Sequence, residues 1–509
     1  MTNAALNDQM ERFWKINEGP ITHHRSIEEQ KCEKISVETC KRASDVRFEV
    51  DILMREDCKK LGDSRINAEK RLLAMERRFA KDPTMKERYH QNLEDFLEQG
   101  HMTLHSDQTP TGKNYLPHHA VLKESSTTTK LRVVWDASCK ISTGISLNDC
   151  LMTGPVVQQE LFLIIIRFRQ HRFVMTGDIV KMYRQIWFKP EQRDLQCILW
   201  RKDPNQAMMT YQLKTVTFGV TSSPYLATRC LVQLAEQCKE SHPGASQVIR
   251  NDFYVDDVMT GADTETEINT ITEEVTTILQ GAGFELQKIH TNKIKHDDDV
   301  EGLDITEIKT LGLRWQPGMD VLRYQSSYEL EKGVLTKRVI LSAIAQVFDP
   351  LGLIGPFVMR SKLLLQHLWK LKIGWDAPVP LDVSKKWIEH CDQLRSIGCI
   401  KIPRHALAAA PEKVQIHGFC DASQVAYGAC IYLRSSNADG SVLVRLLTAR
   451  SRVSPIKTVS LPRLELCGAL LLANLYAKIK DCLTIKVEAA VFWSDSTVAL
   501  AWIRGDPSR

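Results

Sequence analysis

A multi-domain α+β protein is what the sequence predicts, on three observations. Residues 1 to about 100 are rich in charge and carry apolar residues at helical spacing. From about 115 short β-runs alternate with helical stretches, a mixture that suggests a central antiparallel sheet. Near 411 the texture changes again, to a strand–turn–strand pattern.

The elements follow in order. "INAEKRLLAMERRFAKDPTMKERYHQNLEDFLEQG" reads as two amphipathic helices broken near Asp82-Pro83 and ended by Gly100. "HAVLKES", "KLRVVWDAS", "FVMTGDIV", "DLQCILWRK", "MMTYQLKTV" and "NDFYVDDVMTG" read as strands, with helices expected over 155–171 and 223–240. The acidic break "NKIKHDDDVEG" leads to "IKTLGLRWQPG" and a mostly helical region over about 330–400. "VQIHGFCDASQVAYGACIYLRS" and "SVLVRLLTARSRV" then give three strands. "PRLELCGALLLANLYAKIKDCL" is a helix, and "AAVFWSDSTVALAWIRG" is a strand running into another helix.

Composition bounds the function classes. With 509 residues, 43% hydrophobic and 25% charged, the chain has material for roughly three or four domains and is not disordered. A formal charge of +5 permits nucleic-acid binding without requiring it. The 14 cysteines form no CxxC pair, zinc array or disulfide framework, which fits a reducing compartment. The N-terminus lacks the features of a signal peptide, and no apolar run approaches the ~20 residues that span a bilayer. An intracellular, soluble protein with no membrane partner is expected.

Two carboxylate clusters stand out. Asp256 and Asp257 are adjacent like charges in an apolar, aromatic run. They suit a turn, since Asp bonds its own backbone. They also suit a metal site, because Mg²⁺ takes a few carboxylates plus water and phosphate oxygens, and nucleotidyl transfer uses two such ions. Asp178, closing the strand in "FVMTGDIVKMYRQI", is the candidate partner, or alternatively a helix N-cap. In the second cluster Asp421 lies in a strand, Glu465 near a helix start and Asp495 at a strand end. Each also has a structural reading: a hairpin residue, a first-turn acid and an N-cap.

"YLPHHAVLKESSTTTKLRVVWDASCKISTGISLNDCLMTGP", "FRQHRFVMTGDIVKMYRQI", "TVTFGVTSSPYLATR", "YVDDVMTG", "GFELQKIHTN" and "TLGLRW" occur in the order of reverse transcriptase motifs. With "ILSAIAQVFDPLGLIGPF", the chain resembles BEL/Pao-class long-terminal-repeat retrotransposons over most of its length. The resemblance implies a right-hand polymerase (fingers, palm and thumb), then a helical connection and an incomplete ribonuclease H-like domain. The divisions are 1–100, a mainly helical linker region; 101–295, fingers and palm; 296–405, primer-grip hairpin and thumb or connection; and 406–509, ribonuclease H-like.

The resemblance also implies roles. Asp178, Asp256 and Asp257 would form the polymerase metal site, with two Mg²⁺ or Mn²⁺ ions per active site. Lys123 and Arg132 would meet the triphosphate. Tyr183 would exclude a 2′-hydroxyl, unless it is simply a core tyrosine. Gly219 would let backbone approach the template–nucleotide pair. Lys288 would protonate pyrophosphate, unless it is a surface lysine. Leu311, Gly312 and Trp315 would hold the primer end. Asp421, Glu465 and Asp495 would hold the ribonuclease H metals. The family's fourth carboxylate is expected beyond Arg509, so ribonuclease H activity stays open. "DVRFEV" carries Val46 where the family pattern has Gly.

The implied substrates are a primed RNA or DNA template, an RNA–DNA hybrid and deoxynucleoside triphosphates. Implied surroundings are particle or polyprotein partners and a cytoplasmic location, including virus-like particles. The alternative is a catalytically silent remnant, or a co-opted nucleic-acid-binding protein.

Overall fold

The computed structural model describes residues 25–55, 61–122, 131–292, 307–324 and 334–506, with Asn3, Asn7 and Met10. The N-terminal region does not stand apart from the polymerase-like body. Helix α1 (Ile27–Thr39) opens with a capping box, Ser26 and Glu29 exchanging bonds with each other's backbone N–H. It lies on the palm through Glu33, which pairs with Arg229 at 2.7 Å. Helix α2 (Arg65–Phe79) and α3 (Pro83–Glu98) are the two amphipathic helices expected. Asp82 caps α3 by accepting from Met85 N–H, and Pro83 opens the helix where no N–H is needed. Their buried faces (Leu72, Met75, Phe79; Met85, Tyr89, Leu93, Phe96) pack on the fingers.

The fingers contain the hairpin β1 (His118–Leu122) and β2 (Leu131–Trp135). Helix α4 (Leu161–Phe168) is shorter than the 155–171 expected. Gly154 takes φ +81° against the Tyr225 ring, and Pro155 follows, so residues 155–160 run outside the helix. Strand β3 (Phe173–Ile179) is central to the palm. Next come β4 (Cys197–Trp200), β5 (Met209–Leu213) and α5 (Ser223–Cys238). Helices α6 (Pro243–Asn251) and α7 (Glu265–Gln280) were not expected from the apolar pattern, although Thr264 and Glu267 form a second capping box. Between them lie β6 (Phe253–Tyr254) and β7 (Asp257–Ala262), and β8 (Leu286–Thr291) follows α7. The palm sheet is antiparallel in the order β6–β7–β3–β8.

Beyond the palm, β9 (Ile308–Thr310) and β10 (Leu313–Gln316) make a hairpin. It joins β11 (Val321–Arg323) and, across the helices α8 (Lys337–Gln346), α9 (Gly355–Lys370) and α10 (Leu381–Ser396), strand β12 (Lys401–Pro403). The last sheet comprises β13 (Pro411–Ala422), β14 (Ala426–Asn437), β15 (Val442–Val453) and β16 (Ala489–Trp493), in the order β15–β14–β13–β16. Only β13–β16 is parallel. Helix α11 (Leu461–Ile479) covers one face through Leu464, Leu472 and Leu475, against Ile416, Ile431 and Leu433. Helix α12 (Thr497–Arg504) follows β16.

The core that contains Ile416 and Leu447 of this sheet also takes in Phe162, Phe168, Val174 and Trp315, so it runs from palm to final domain. Among the described residues, no helix is long and apolar enough to cross a membrane. Twelve described cysteines are free thiols, and Cys150 is disulfide-bonded.

Candidate functional site

The palm sheet brings the first cluster together by register. Asp178, near the end of β3, lies directly opposite Asp257, the first residue of β7. Residues opposed in an antiparallel pair share a face, so these two carboxylates lie side by side. Asp256 occupies the turn that joins β6 to β7, closed by the Tyr254–Asp257 pair. Its carbonyl accepts from Ile179 N–H at 2.8 Å, which binds the turn to the strand carrying Asp178. Asp178 is therefore a strand residue and not a helix cap.

In this setting the proton affinity of two of the carboxylates, Asp256 and Asp257, is raised. Burial pushes Asp256 above the usual carboxylate range, with Asp178 adding to it, while Arg132 and Lys288 oppose the shift. Asp257 is pushed up to about 7, by burial first and then by Asp256 and Asp178. Lys288, held at φ +51° in the bulge of β8, places its ammonium 3.2 Å from Asp178 Oδ2. A site where like charges are half-buried and only partly compensated fits divalent cations, whose charge reverses the local preference. Beside it Tyr183 packs on Phe218, ring centroids 4.7 Å apart. Its hydroxyl is pushed up to about 12 by burial and by Asp256.

In the second cluster Asp421 is the last residue but one of β13, Glu465 lies in the second turn of α11 and so is not the first-turn acid expected, and Asp495 follows β16. One carboxylate oxygen from each lies within 4.8 Å of the others. Gly468, one turn past Glu465, lets α11 approach: a Cβ there would stand 3.4 Å from the Asp421 carbonyl. Burial, then Asp421 and Asp495, raise Glu465, and its buried Oε2 has no hydrogen-bond partner among the described residues. An orphaned carboxylate oxygen aimed into an acidic cluster is what a cation ligand leaves when no cation is bound, so these residues fit a metal. The N-cap reading of Asp495 is corrected, because Ser496 caps α12 by accepting from Ala499 N–H.

A third group, His105, Asp194 and Cys197, is equally compact. Here His105 Nδ1 accepts from Asp107 N–H at 3.0 Å, which leaves the ring proton on Nε2, 2.9 Å from Asp194. That is a hydrogen-bonded pair beside a buried thiol.

Two family models match the chain. Residues 122–314 match the reverse transcriptase (RNA-dependent DNA polymerase) family, and residues 336–496 match the Pao retrotransposon-like RNaseH-like domain. The chain carries the reverse transcriptase and ribonuclease H-like domains of a Pao-type retroelement. No curated protein matches it in sequence. Two solved structures of the foamy viral protease-reverse transcriptase are similar. The one in complex with RNA/DNA hybrid matches at TM-score 0.50 and 15% identity, over 82% of this chain and 51% of that one. The dRH form in complex with ds DNA matches at 0.52 and 15%, over 100% and 78%. The chain thus spans about half the length of the first, and at this identity the likeness shows the fold.

The Pao-type match takes in α8–α10 as well as the last sheet. In the reverse transcriptase domain, Arg132 is exposed on β2, and Lys123 lies outside the described residues. Leu311 and Gly312, at φ +48° and +83°, form the two-residue tip of the β9–β10 hairpin. Trp315 is corrected. It is fully buried, edge-on to Phe168, and its Nε1–H donates to Asp320 at 3.0 Å, so it supports the hairpin from inside and cannot touch a primer.

Gly219 is exposed. At φ +91° its missing side chain makes room for the chain's own Trp135 carbonyl, 1.9 Å from where a Cβ would stand. Phe218, packed on Tyr183, and Gln158, bonded to Val255 next to Asp256, carried no expectation from the sequence. Phe218 had a signal, a large apolar residue before a glycine in "TFGV". Gln158 had none, because its partner is distant in sequence.

Proposed function

We propose that the chain is an RNA-directed DNA polymerase, adding deoxynucleotides from their triphosphates to a primer on an RNA or DNA template. The observation that carries the reading is the in-register pairing of Asp178 with Asp257, beside Asp256 in the adjoining turn. Asp178 and Asp256 would hold two Mg²⁺ or Mn²⁺ ions, with Asp257 completing the anionic site. When bound, such cations supply charge neutralisation at the attacking hydroxyl and at the triphosphate.

The protein's own residues orient the substrates. Arg132, close enough to Asp256 to oppose its charge shift, offers a forked donor to the triphosphate. Tyr183, backed by Phe218, fills the space a 2′-hydroxyl would need. The Leu311–Gly312 tip would meet the primer end, and Lys288 would stand near the leaving pyrophosphate. Asp421, Glu465 and Asp495 would hold the cations for cutting the RNA strand of a hybrid. Nucleic-acid contacts would be mostly to backbone, hence salt-sensitive. The same reading places the protein in the cytoplasm or in virus-like particles.

The test is primer extension on an RNA template with Mg²⁺, comparing the chain with Asp256→Asn. Extension is expected from the first and a loss of at least about 100-fold from the second. Tight primer–template binding without extension by either protein would favour the remnant that only binds.

A further inference from the structure

We propose that Gln158 is a positioning residue of the polymerase site, whose side-chain oxygen holds the turn that presents Asp256. The inference rests on the metal-site reading above. Val255 and Asp256 are the two central residues of the β6–β7 turn. Val255 takes φ +58°, at the first central position, where hairpins favour glycine. A β-branched residue held there is strained and persists only where its surroundings over-determine it.

Two hydrogen bonds supply that constraint. Val255 N–H donates to Gln158 Oε1 at 3.0 Å, and Ile179 N–H donates to the Asp256 carbonyl at 2.8 Å. The second is backbone to backbone and belongs to the palm itself. The first comes from a side chain remote in sequence, and it grips the residue immediately before the catalytic carboxylate.

Gln158 is in turn held by its neighbours. Gln159 Nε2 donates to Asn251 Oδ1 at 3.4 Å, beside the base of the same hairpin. Glu160 pairs with Lys478 of α11. Phe162 is buried, with the Arg450 and Lys478 cations 5.0 and 5.4 Å from its ring centre. The extended stretch ahead of α4 is therefore fixed at both faces, by the catalytic hairpin and by the ribonuclease H-like domain. That gives the stretch a purpose other than starting α4. Loss of the acceptor would leave Val255 N–H unpaired and free the strained turn to relax, moving Asp256 away from Asp178.

The test compares Gln158→Met, which keeps the length but removes the acceptor, with Gln158→Glu, which keeps an accepting oxygen. Binding of Mn²⁺ to the primer–template complex is followed by electron paramagnetic resonance of the free ion. Gln158→Met should weaken binding about 10–100-fold, as loss of a partner one step from a metal ligand does. The Mg²⁺ midpoint for single-turnover incorporation should rise in parallel, while primer–template affinity stays unchanged. Amide exchange in the peptide 251–258 should accelerate, and Gln158→Glu should restore all three readouts.

Wild-type Mn²⁺ affinity and exchange in Gln158→Met would overturn the proposal. So would lost activity with unchanged Mn²⁺ affinity, which would mark Gln158 as merely structural. Asp256→Asn is the separate control. If it binds Mn²⁺ and extends primers as the wild type does, the metal-site reading itself fails, whatever Gln158 does.

Discussion

Val46 sits at φ +68°, in the turn where Ala43 N–H donates to the Arg47 carbonyl. It is half exposed, so it buries little to offset a left-handed backbone that costs an L-residue about 1–2 kcal/mol. The departure from glycine noted in "DVRFEV" therefore has a backbone meaning. Val46→Gly should stabilise its domain by about 0.5–1 kcal/mol, after the greater unfolded-state freedom of glycine is counted. A higher urea midpoint at unchanged slope would show it, and a lower midpoint would refute it. Asp257 gives a second prediction. Its folded-state affinity for protons is raised to about 7, whereas the unfolded chain gives up the proton near the usual value, about 4. Between those values the native state binds the extra proton, so Asp257 lowers stability progressively as pH rises through that window. Without divalent metal, Asp257→Asn should therefore be more stable than wild type at pH 8 and little different at pH 4. Urea unfolding in a chelator measures this, and equal stability at pH 8 would sink it.

At the scale of elements, the loop between α8 and α9 shows how a sequence signature can be legible before its physics is. "ILSAIAQVFDPLGLIGPF" marks the family, but nothing in its pattern says what it does. In the structure Asp349 accepts from Leu353 and Ile354 N–H at 2.9 and 3.0 Å, and from the Tyr324 hydroxyl. The Leu351 carbonyl accepts from Ala449 N–H and the Thr448 hydroxyl, both at 2.8 Å, which docks the loop on β15. Gly352, at φ +74°, leaves 1.9 Å between a would-be Cβ and the Ala449 carbonyl. Gly352→Ala should therefore destabilise the ribonuclease H-like domain by about 2–4 kcal/mol, combining overpacking with left-handed strain. Unchanged urea unfolding would mean that the loop is not docked. Elements with a local signal were readable in the same way: the helices split at Asp82-Pro83, the strands carrying Asp178 and Asp421, the helix carrying Glu465. Helix α7 announced itself through Thr264 and Glu267, a signal that the apolar pattern hid. The burial of Trp315 and the grip of Gln158 were not readable, because each depends on packing between segments far apart in the chain.

At the scale of the whole molecule, two buried arginines tie the reverse transcriptase domain to the domain that follows. Arg404 forks onto Asp320 at 2.6 and 2.7 Å and donates to the carbonyls of Phe168, His171 and Arg172, closing the end of α4. Arg169, at that same helix end, donates to the carbonyls of Pro403, Arg404, Leu446 and Leu447. The last two belong to β15, so one guanidinium spans the palm, the hairpin sheet and the ribonuclease H-like sheet. Among the described residues, no carboxylate pairs with Arg169. Burial holds its proton affinity down, to about 10, and the carbonyls alone solvate the charge. Arg169→Met keeps the apolar stem and leaves four carbonyl acceptors without their donor, two of them in fully buried bonds and two in partly buried ones. Each such loss costs about 1–3 kcal/mol before relaxation, so a total of about 3–5 kcal/mol is expected, concentrated at this junction. Wild type should lose polymerase-domain and ribonuclease H-like structure together in urea. Arg169→Met should separate them, with the ribonuclease H-like sheet unfolding at lower urea, as read by hydrogen exchange in β13–β15 against that in β3. Coincident transitions at the wild-type midpoint would mean that the shared apolar core around Phe162, Phe168 and Leu447 carries the coupling without the arginine.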